Sequence, residues 1–193
     1  MRRPITIKAL SSLGAIVFAC SMSGPASAAN SSQTAYVQGK ALKYLGTGLR
    51  EFLWVDIYKL SAYSKSGSCS ASDIIGRDEP KALRLRSMRD IPIDKLKSNL
   101  KETFEENLPT GDTSSLKQRI DAFLGSFKSD LKEGVTVEII YEPGKGTTVS
   151  QGGKAFGPAT PGKDFAELIW RSYFGPKTCC SSVKSAILEK CGK

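Results

Sequence analysis

Gly46-Thr47-Gly48-Leu49-Arg50-Glu51-Phe52-Leu53-Trp54-Val55-Asp56-Ile57-Tyr58 is the stretch whose reading decides the fold. Its second half is rich in aromatic and β-branched side chains, which suit a pleated, half-buried surface. Leu42, Tyr44 and Leu49 flank Gly46 and Gly48, so the strand signal extends over Ala41 to Ser64. This predicts two long strands joined near Arg50-Glu51. Trp54, Asp56, Tyr58, Leu60 and Ala62 share parity and are expected on one face. Tyr58 then places a phenol in an apolar wall. Arg50 places a guanidinium amid apolar sequence, where it needs a partner or water; Glu51 and Asp56 are nearby carboxylates.

Outward from this stretch, Lys81 to Arg89 alternates, with Leu83 and Leu85 against Arg84 and Arg86, as in a strand with one wet face. Ser66 to Asp73 reads as a loop leading into a short turn of helix. Pro92 opens a helix with Asp94 in its first turn. Ile93, Leu96, Leu100 and Phe104 recur at helical spacing, and Asn107-Leu108-Pro109 ends it. Leu116, Ile120, Phe123, Leu124 and Phe127 make a second stripe after Asp112-Thr113-Ser114, and core packing accounts for it. Three strands follow: Val135 to Tyr141, then Thr147 to Ser150, then one ending at Gly157-Pro158. Gly152-Gly153 makes the last hairpin turn. Helices are expected over Asp164 to Tyr173 and Ser181 to Glu189. Strands and helices come in runs, which predicts an α+β fold with an antiparallel sheet.

The 193 residues include no His. That excludes Ser-His-Asp and Cys-His hydrolases, HExxH proteases and His-held metal or haem. Neither Gly144-Lys145-Gly146 nor Gly152-Gly153 has phosphate-loop spacing, so no nucleotide cofactor is implied, and none of any other kind.

Met1-Arg2-Arg3, Lys8, the small apolar run Ala9 to Ala19 and Ala26-Ser27-Ala28 read as a secretory leader cut after Ala28. One domain over residues 29–193 remains. The expected location is periplasmic or secreted. Cys20 offers a lipoprotein alternative, which bulky Phe18 disfavours. Arg2, Arg3 and Lys8 carry three of the nine net positive charges, leaving +6. That balance suits solubility and a weak association with anionic membrane surfaces. No basic run interleaved with aromatics points to nucleic acid.

Cys69, Cys179, Cys180 and Cys191 follow the leader. An even count in an exported chain suggests two disulfides with three connectivities. A bond between adjacent Cys179 and Cys180 would be strained. A helix from Ser181 would set Cys180 and Cys191 about 16 Å apart, beyond disulfide reach. A bridge from Cys69 to the Cys179-Cys180 pair is therefore expected. Without His or a CxxC, no metal site is expected.

Gly46-Thr47-Gly48-Leu49-Arg50 with Val55-Asp56-Ile57-Tyr58 to Tyr63 resembles the opening of the chalcone isomerase-like family. Leu83-Arg84-Leu85 to Met88-Arg89-Asp90 resembles its next strand, and Glu105-Glu106-Asn107-Leu108 the close of a helix. Tyr141-Glu142-Pro143-Gly144, Gly146-Thr147-Thr148-Val149 and Gly157 are similar to its hairpin. Asp164-Phe165 to Trp170 and Phe174-Gly175 look like its penultimate helix. The likeness runs from about Gly46 to Leu188.

The resemblance implies an open-faced β-sandwich with a large antiparallel sheet, helices on one face and a ligand cleft between them. It implies either a flavonoid-forming isomerase, a fatty-acid binder or a bacterial protein of obscure role. Arg50 matches the family Arg, Tyr58 stands where the plant enzymes have Thr and where exported bacterial members tend to have Tyr, and Asn107 matches the helix Asn; the resemblance is to an exported bacterial-type member. Leu100 stands where the enzymes have a Tyr, and their late Ser/Thr falls near Asp164 to Ala166, where no hydroxyl stands. Two groups that steady an enolate are thus missing. The expected activity is binding, without efficient catalysis, of a small apolar molecule with an anionic head group, a fatty acid or polyphenol-like compound. Arg50 and Tyr58 would take the head, with Trp54 and Leu100 along the tail and Asn107 also among the ligand-binding residues. The rivals are an isomerase (an intramolecular lyase) acting on a chalcone-like enone, and an envelope-associated structural protein without ligand.

Overall fold

The computed structural model describes residues 35–37 and 39–193. The leader read over residues 1–28, Cys20 included, lies outside the described residues. Among the described residues, seven strands cross one antiparallel sheet in sequence order. They are β1 (Ala35–Val37), β2 (Lys40–Phe52), β3 (Val55–Ser64), β4 (Lys81–Ser87), β5 (Thr136–Glu142), β6 (Gly146–Gln151) and β7 (Lys154–Thr160). The helices are α1 (Ala71–Gly76), α2 (Ile93–Glu106), α3 (Ser114–Ser126), α4 (Lys163–Phe174) and α5 (Ser181–Lys190). They cover one sheet face, which gives the α+β open-faced sandwich expected from the runs of elements.

Parity sorts the two faces. Leu60, Ala62, Leu83, Val137, Ile139 and Val149 point at the helices and join Phe104, Ile120, Phe123, Phe165 and Trp170 in the main core. The other face carries a small cluster of Ala35, Leu42, Tyr63 and Ala82. Beside it, Arg84 pairs with Glu138 at 2.7 Å and Thr47 bonds Ser61 at 2.6 Å.

The two glycines of the deciding stretch have a packing reason. A Cβ on Gly46 would stand 2.8 Å from the Ile187 carbonyl oxygen, and one on Gly48 2.6 Å from the Val183 Cα. Helix α5 therefore lies with its backbone directly on β2.

The hairpin turn falls three residues later than Arg50-Glu51. Phe52 pairs with Val55, and Leu53 and Trp54 make the turn with φ of 47° and 68°. Two positive φ values are the pattern of a tight type I′ hairpin, which normally takes Asn-Gly. Leu and Trp give no such signal, so the sequence misplaces the turn. The short strand β1 was likewise not anticipated.

The disulfide joins Cys69 to Cys191 and corrects the expected bridge to the Cys179-Cys180 pair. The ten residues of α5 carry the chain about 15 Å along its axis. That brings Cys191 to the loop before α1 and leaves Cys179 and Cys180 at the opposite end of the helix, both as thiols.

Lys81 is buried at 1% exposure on the helix-facing side of β4. Its Nζ donates to the carbonyl oxygens of Ile74 at 3.0 Å, Ile75 at 2.7 Å and Arg77 at 3.4 Å. It thus caps the C-terminal end of α1, beneath the Trp170 ring, whose centroid is 5.0 Å away.

Candidate functional site

Helix α2 packs mainly on α3 and α4, whereas α5 packs on β2. A cavity of about 710 Å³ is left between α2 and the β2–β3 hairpin. Its apolar wall is Ile57, Leu85, Ile91, Leu96, Leu100 and Phe104, and Arg50, Tyr58, Tyr173, Cys179 and Cys180 are also part of its lining. Exposed Arg89, Asp90, Lys95, Glu102 and Glu106 contribute charged side chains of both signs. Leu96 and Leu100 belong to the helical stripe read from the sequence, yet they stay half-buried. Part of that stripe faces a hollow instead of packed side chains.

A second hollow of about 640 Å³ lies between α3 and the β6–β7 hairpin. Its polar lining residues are Ser126, Lys128, Ser129, Gln151 and Lys154, with no acid, phenol or thiol among them.

Arg50 and Tyr58 are direct cross-strand partners on the helix-facing side. A two-residue turn at Leu53-Trp54 alone would pair Arg50 with Ile57. A register shift between Arg50 and Glu51 moves the pairing by one residue. This bulge lets both Ile57 and Tyr58 reach the cavity. Among the described residues Arg50 makes no ion pair, and neither Glu51 nor Asp56 answers it.

Tyr58 Oη lies 3.0 Å from Cys180 Sγ, and Cys180 Sγ lies 2.9 Å from Cys179 Sγ. Burial, then the charges of Tyr173, Cys180 and Cys179, push the Tyr58 phenol well above its ordinary range. It stays protonated and acts as a donor. The two thiols share one hydrogen bond, so the pair gives up its first proton readily and its second with difficulty. That bond, with help from Tyr58 and the Arg50 charge, draws Cys180 down to about 7. The same bond, with burial, pushes Cys179 up.

Asn107 does not line the cavity. It is 4% exposed, and its Nδ2 donates to the carbonyl oxygens of Thr103 at 3.0 Å and Lys177 at 2.9 Å. It fastens the end of α2 to the loop before Cys179. Thr178 Oγ1 and the Cys179 amide hold the same loop, donating to Tyr173 O at 2.8 Å and Ser172 O at 3.1 Å. Asn107 is a positioning residue for the two sulfurs.

Trp54 is likewise not in the wall. It is 96% exposed in the turn, because β3 and its alternation begin only at Val55. The structure thus brings Arg50, Tyr58 and Leu100 around one cavity and leaves Asn107 and Trp54 out of it. It adds Cys179 and Cys180, which the sequence offered only as disulfide candidates.

The two aliphatic hydroxyls of the cavity, on Thr103 and Ser172, are committed to their own helices, which leaves the Tyr58 and Tyr173 phenols. Thr103 Oγ1 donates to Asn99 O at 2.7 Å and Ser172 Oγ to Leu168 O at 2.9 Å. Asp164, near the family's late Ser/Thr position, pairs with Arg119 at 2.8 Å at the N-terminal end of α4, away from Ser172 and Tyr173 at the other end.

A family model described as chalcone isomerase-like matches residues 26–189. A crystal structure of a fatty-acid binding protein from Arabidopsis thaliana shares the fold, with a TM-score of 0.64 over 81% of this chain and 96% of that one. The two are 16% identical. No curated protein matches the sequence with significance.

Proposed function

We propose a function from one premise: the chain belongs to the chalcone isomerase-like family. In this reading the cavity between α2 and the β2–β3 hairpin binds a small apolar molecule with an anionic head group, of the fatty-acid kind. The observation that carries it is Arg50 beside Tyr58 on the cavity wall, with no carboxylate partner among the described residues. A guanidinium placed there can grip a carboxylate through two N–H groups while the phenol donates a third bond. Leu85, Leu96 and Leu100 offer the tail an apolar bed. The Arabidopsis fatty-acid binding protein supports the reading as a relative in fold.

Efficient ring closure is not part of the reading. Leu100 supplies no phenol, and the Thr103 and Ser172 hydroxyls are turned to their own helices. No cofactor is needed for binding.

This reading also takes the mature protein outside the cytoplasm, cut after Ala28 and without a lipid on Cys20. The Cys69–Cys191 disulfide supports an oxidising compartment. The hairpin tip supports contact with a lipid surface as the source of the ligand. Phe52, Leu53, Trp54 and Val55 are 59%, 74%, 96% and 39% exposed, and Phe52 also belongs to the cavity lining. Four adjacent large apolar side chains at one tip match an interfacial anchor.

Mass spectrometry of material extracted from the purified protein, with calorimetric titration of dodecanoate, tests the reading. A co-purified acidic lipid and a saturable titration are expected. Neither signal would leave a structural protein without ligand. Loss of a hydroxychalcone far above its spontaneous rate would instead make the protein an isomerase.

A further inference from the structure

Two sulfurs in the cavity lining have no role in binding as described. Cys179 and Cys180 are thiols whose Sγ atoms are 2.9 Å apart. Both line the cavity that holds Arg50, and Cys180 holds the Tyr58 hydroxyl at 3.0 Å. The same chain closes Cys69 to Cys191, so it meets an oxidant of thiols. The loop carrying the pair is fixed from three sides by Asn107, Thr178 and the Cys179 amide, so the sulfurs are held face to face.

We propose that Cys179 and Cys180 are a redox pair that closes to a vicinal disulfide inside the cavity, and that closure releases the Tyr58 hydroxyl from sulfur to the ligand's head group. The second half rests on the binding reading above; the first does not.

The closing step is thiol–disulfide exchange with a small disulfide. Cys180, drawn down to about 7 by its hydrogen bonds, supplies the thiolate. Its sulfur bonds to one sulfur of the reagent, the reagent's S–S bond breaks, and one thiol leaves. Cys179 then gives up its proton and attacks the Cys180 sulfur, and the second thiol leaves. The protein loses two electrons and two protons, and one disulfide becomes two thiols.

Adjacent residues hold their Cα atoms about 3.8 Å apart, below the usual disulfide span. A vicinal bond is therefore strained and easily reduced again. With the thiolate gone, Tyr58 faces only a weak sulfur acceptor. Its proton is free for a carboxylate beside Arg50.

The assay has two arms on the full protein. In the first, reduced protein is treated with bis(2-hydroxyethyl) disulfide, then alkylated and digested with trypsin. Cleavage after Lys177 and Lys184 gives one peptide that carries both cysteines and no other. An internal disulfide in that peptide is expected, reopened by mild dithiothreitol. Cys179→Ser should instead trap a single mixed disulfide on Cys180. A peptide that alkylates twice after oxidation, or ends with two mixed disulfides, overturns the redox pair.

In the second arm dodecanoate is titrated into both states, and into Tyr58→Phe. Binding about fivefold tighter in the disulfide state is expected, the worth of one hydrogen bond, with the difference lost in Tyr58→Phe. Equal affinity overturns the coupling. Absence of binding in both states overturns the binding reading and the coupling with it, while the peptide result stands by itself.

Discussion

Replacing Arg50 by Ala separates an anion clamp from an Arg that merely supports the hairpin. The guanidinium is half-buried, lies across the strand from Tyr58 and has no ion pair among the described residues. A bidentate charge-assisted contact contributes roughly 1.5–3 kcal/mol. The lower part of that range applies, because the site is only partly shielded from water. Arg50→Ala should therefore weaken dodecanoate by about ten- to thirtyfold. Dodecanol, with the same tail and no charge, should weaken less than about threefold. Arg50→Lys should recover part of the loss, since a fork becomes a point charge. Thermal stability should change little, because Arg50 makes no ion pair among the described residues and only the Cys180 sulfur answers its charge before the ligand arrives. Calorimetry with both ligands and a melting curve for each variant gives the answer. Equal losses for acid and alcohol, with a lowered melting temperature, would refute the clamp.

Three further outcomes follow from the packing. Gly48→Ala should cost about 2–3 kcal/mol in denaturant unfolding, because its Cβ meets Val183 backbone at 2.6 Å; Gly125→Ala in α3, with nothing within 4 Å, should gain about 0.5–1 kcal/mol. Lys81 is drawn down to about 8 by burial, the dominant cause, against Glu167, Glu79 and Asp78, with Lys163 acting in the same sense as burial. The unfolded chain then holds more protons between that value and the ordinary lysine range. Wild-type stability should therefore rise relative to Lys81→Met by about 2 kcal/mol from pH 7.5 to 9.5; a flat difference would mean that Lys81 titrates normally. Leu53→Asn with Trp54→Gly should raise stability by about 1–2 kcal/mol, by placing turn-forming residues at two left-handed positions, and should reduce sedimentation with phosphatidylglycerol vesicles; undiminished sedimentation would remove the tip from membrane contact.

The parts of the fold that follow from local chemistry were legible in the sequence. Pro92 and Asn107 bracket α2 because one presets a helical entry and the other ends the stripe. The alternation of Leu83 and Leu85 with Arg84 and Arg86 gave β4 and its two faces. The parts that depend on meetings through space were not. Leu53-Trp54 carries no turn residue, so the hairpin was centred too early and Trp54 was counted into the wall. Asn107 was set on the ligand because its residue type matched a family position, whereas its amide is used by Lys177 O. The Cys69–Cys191 bond spans 122 positions and depends on where α5 comes to rest. Arg50 and Tyr58 stood out by their apolar surroundings and took their head-group role from resemblance, and the bulge that makes them partners has no mark in the residues around it.

The strand order has a consequence for synthesis. Each strand pairs with the one made just before it, so hairpins can close locally and in order as the chain emerges. The glycine face of β2 is the exception. Its cover is α5, the last helix made, and it stays bare while more than a hundred residues are added. A growing chain thus carries a nearly complete sheet with one apolar flank open until α5 arrives. Chains cut short before Ser181 should need a holding chaperone, and the closing of Cys69 on Cys191 reports that the last helix has docked.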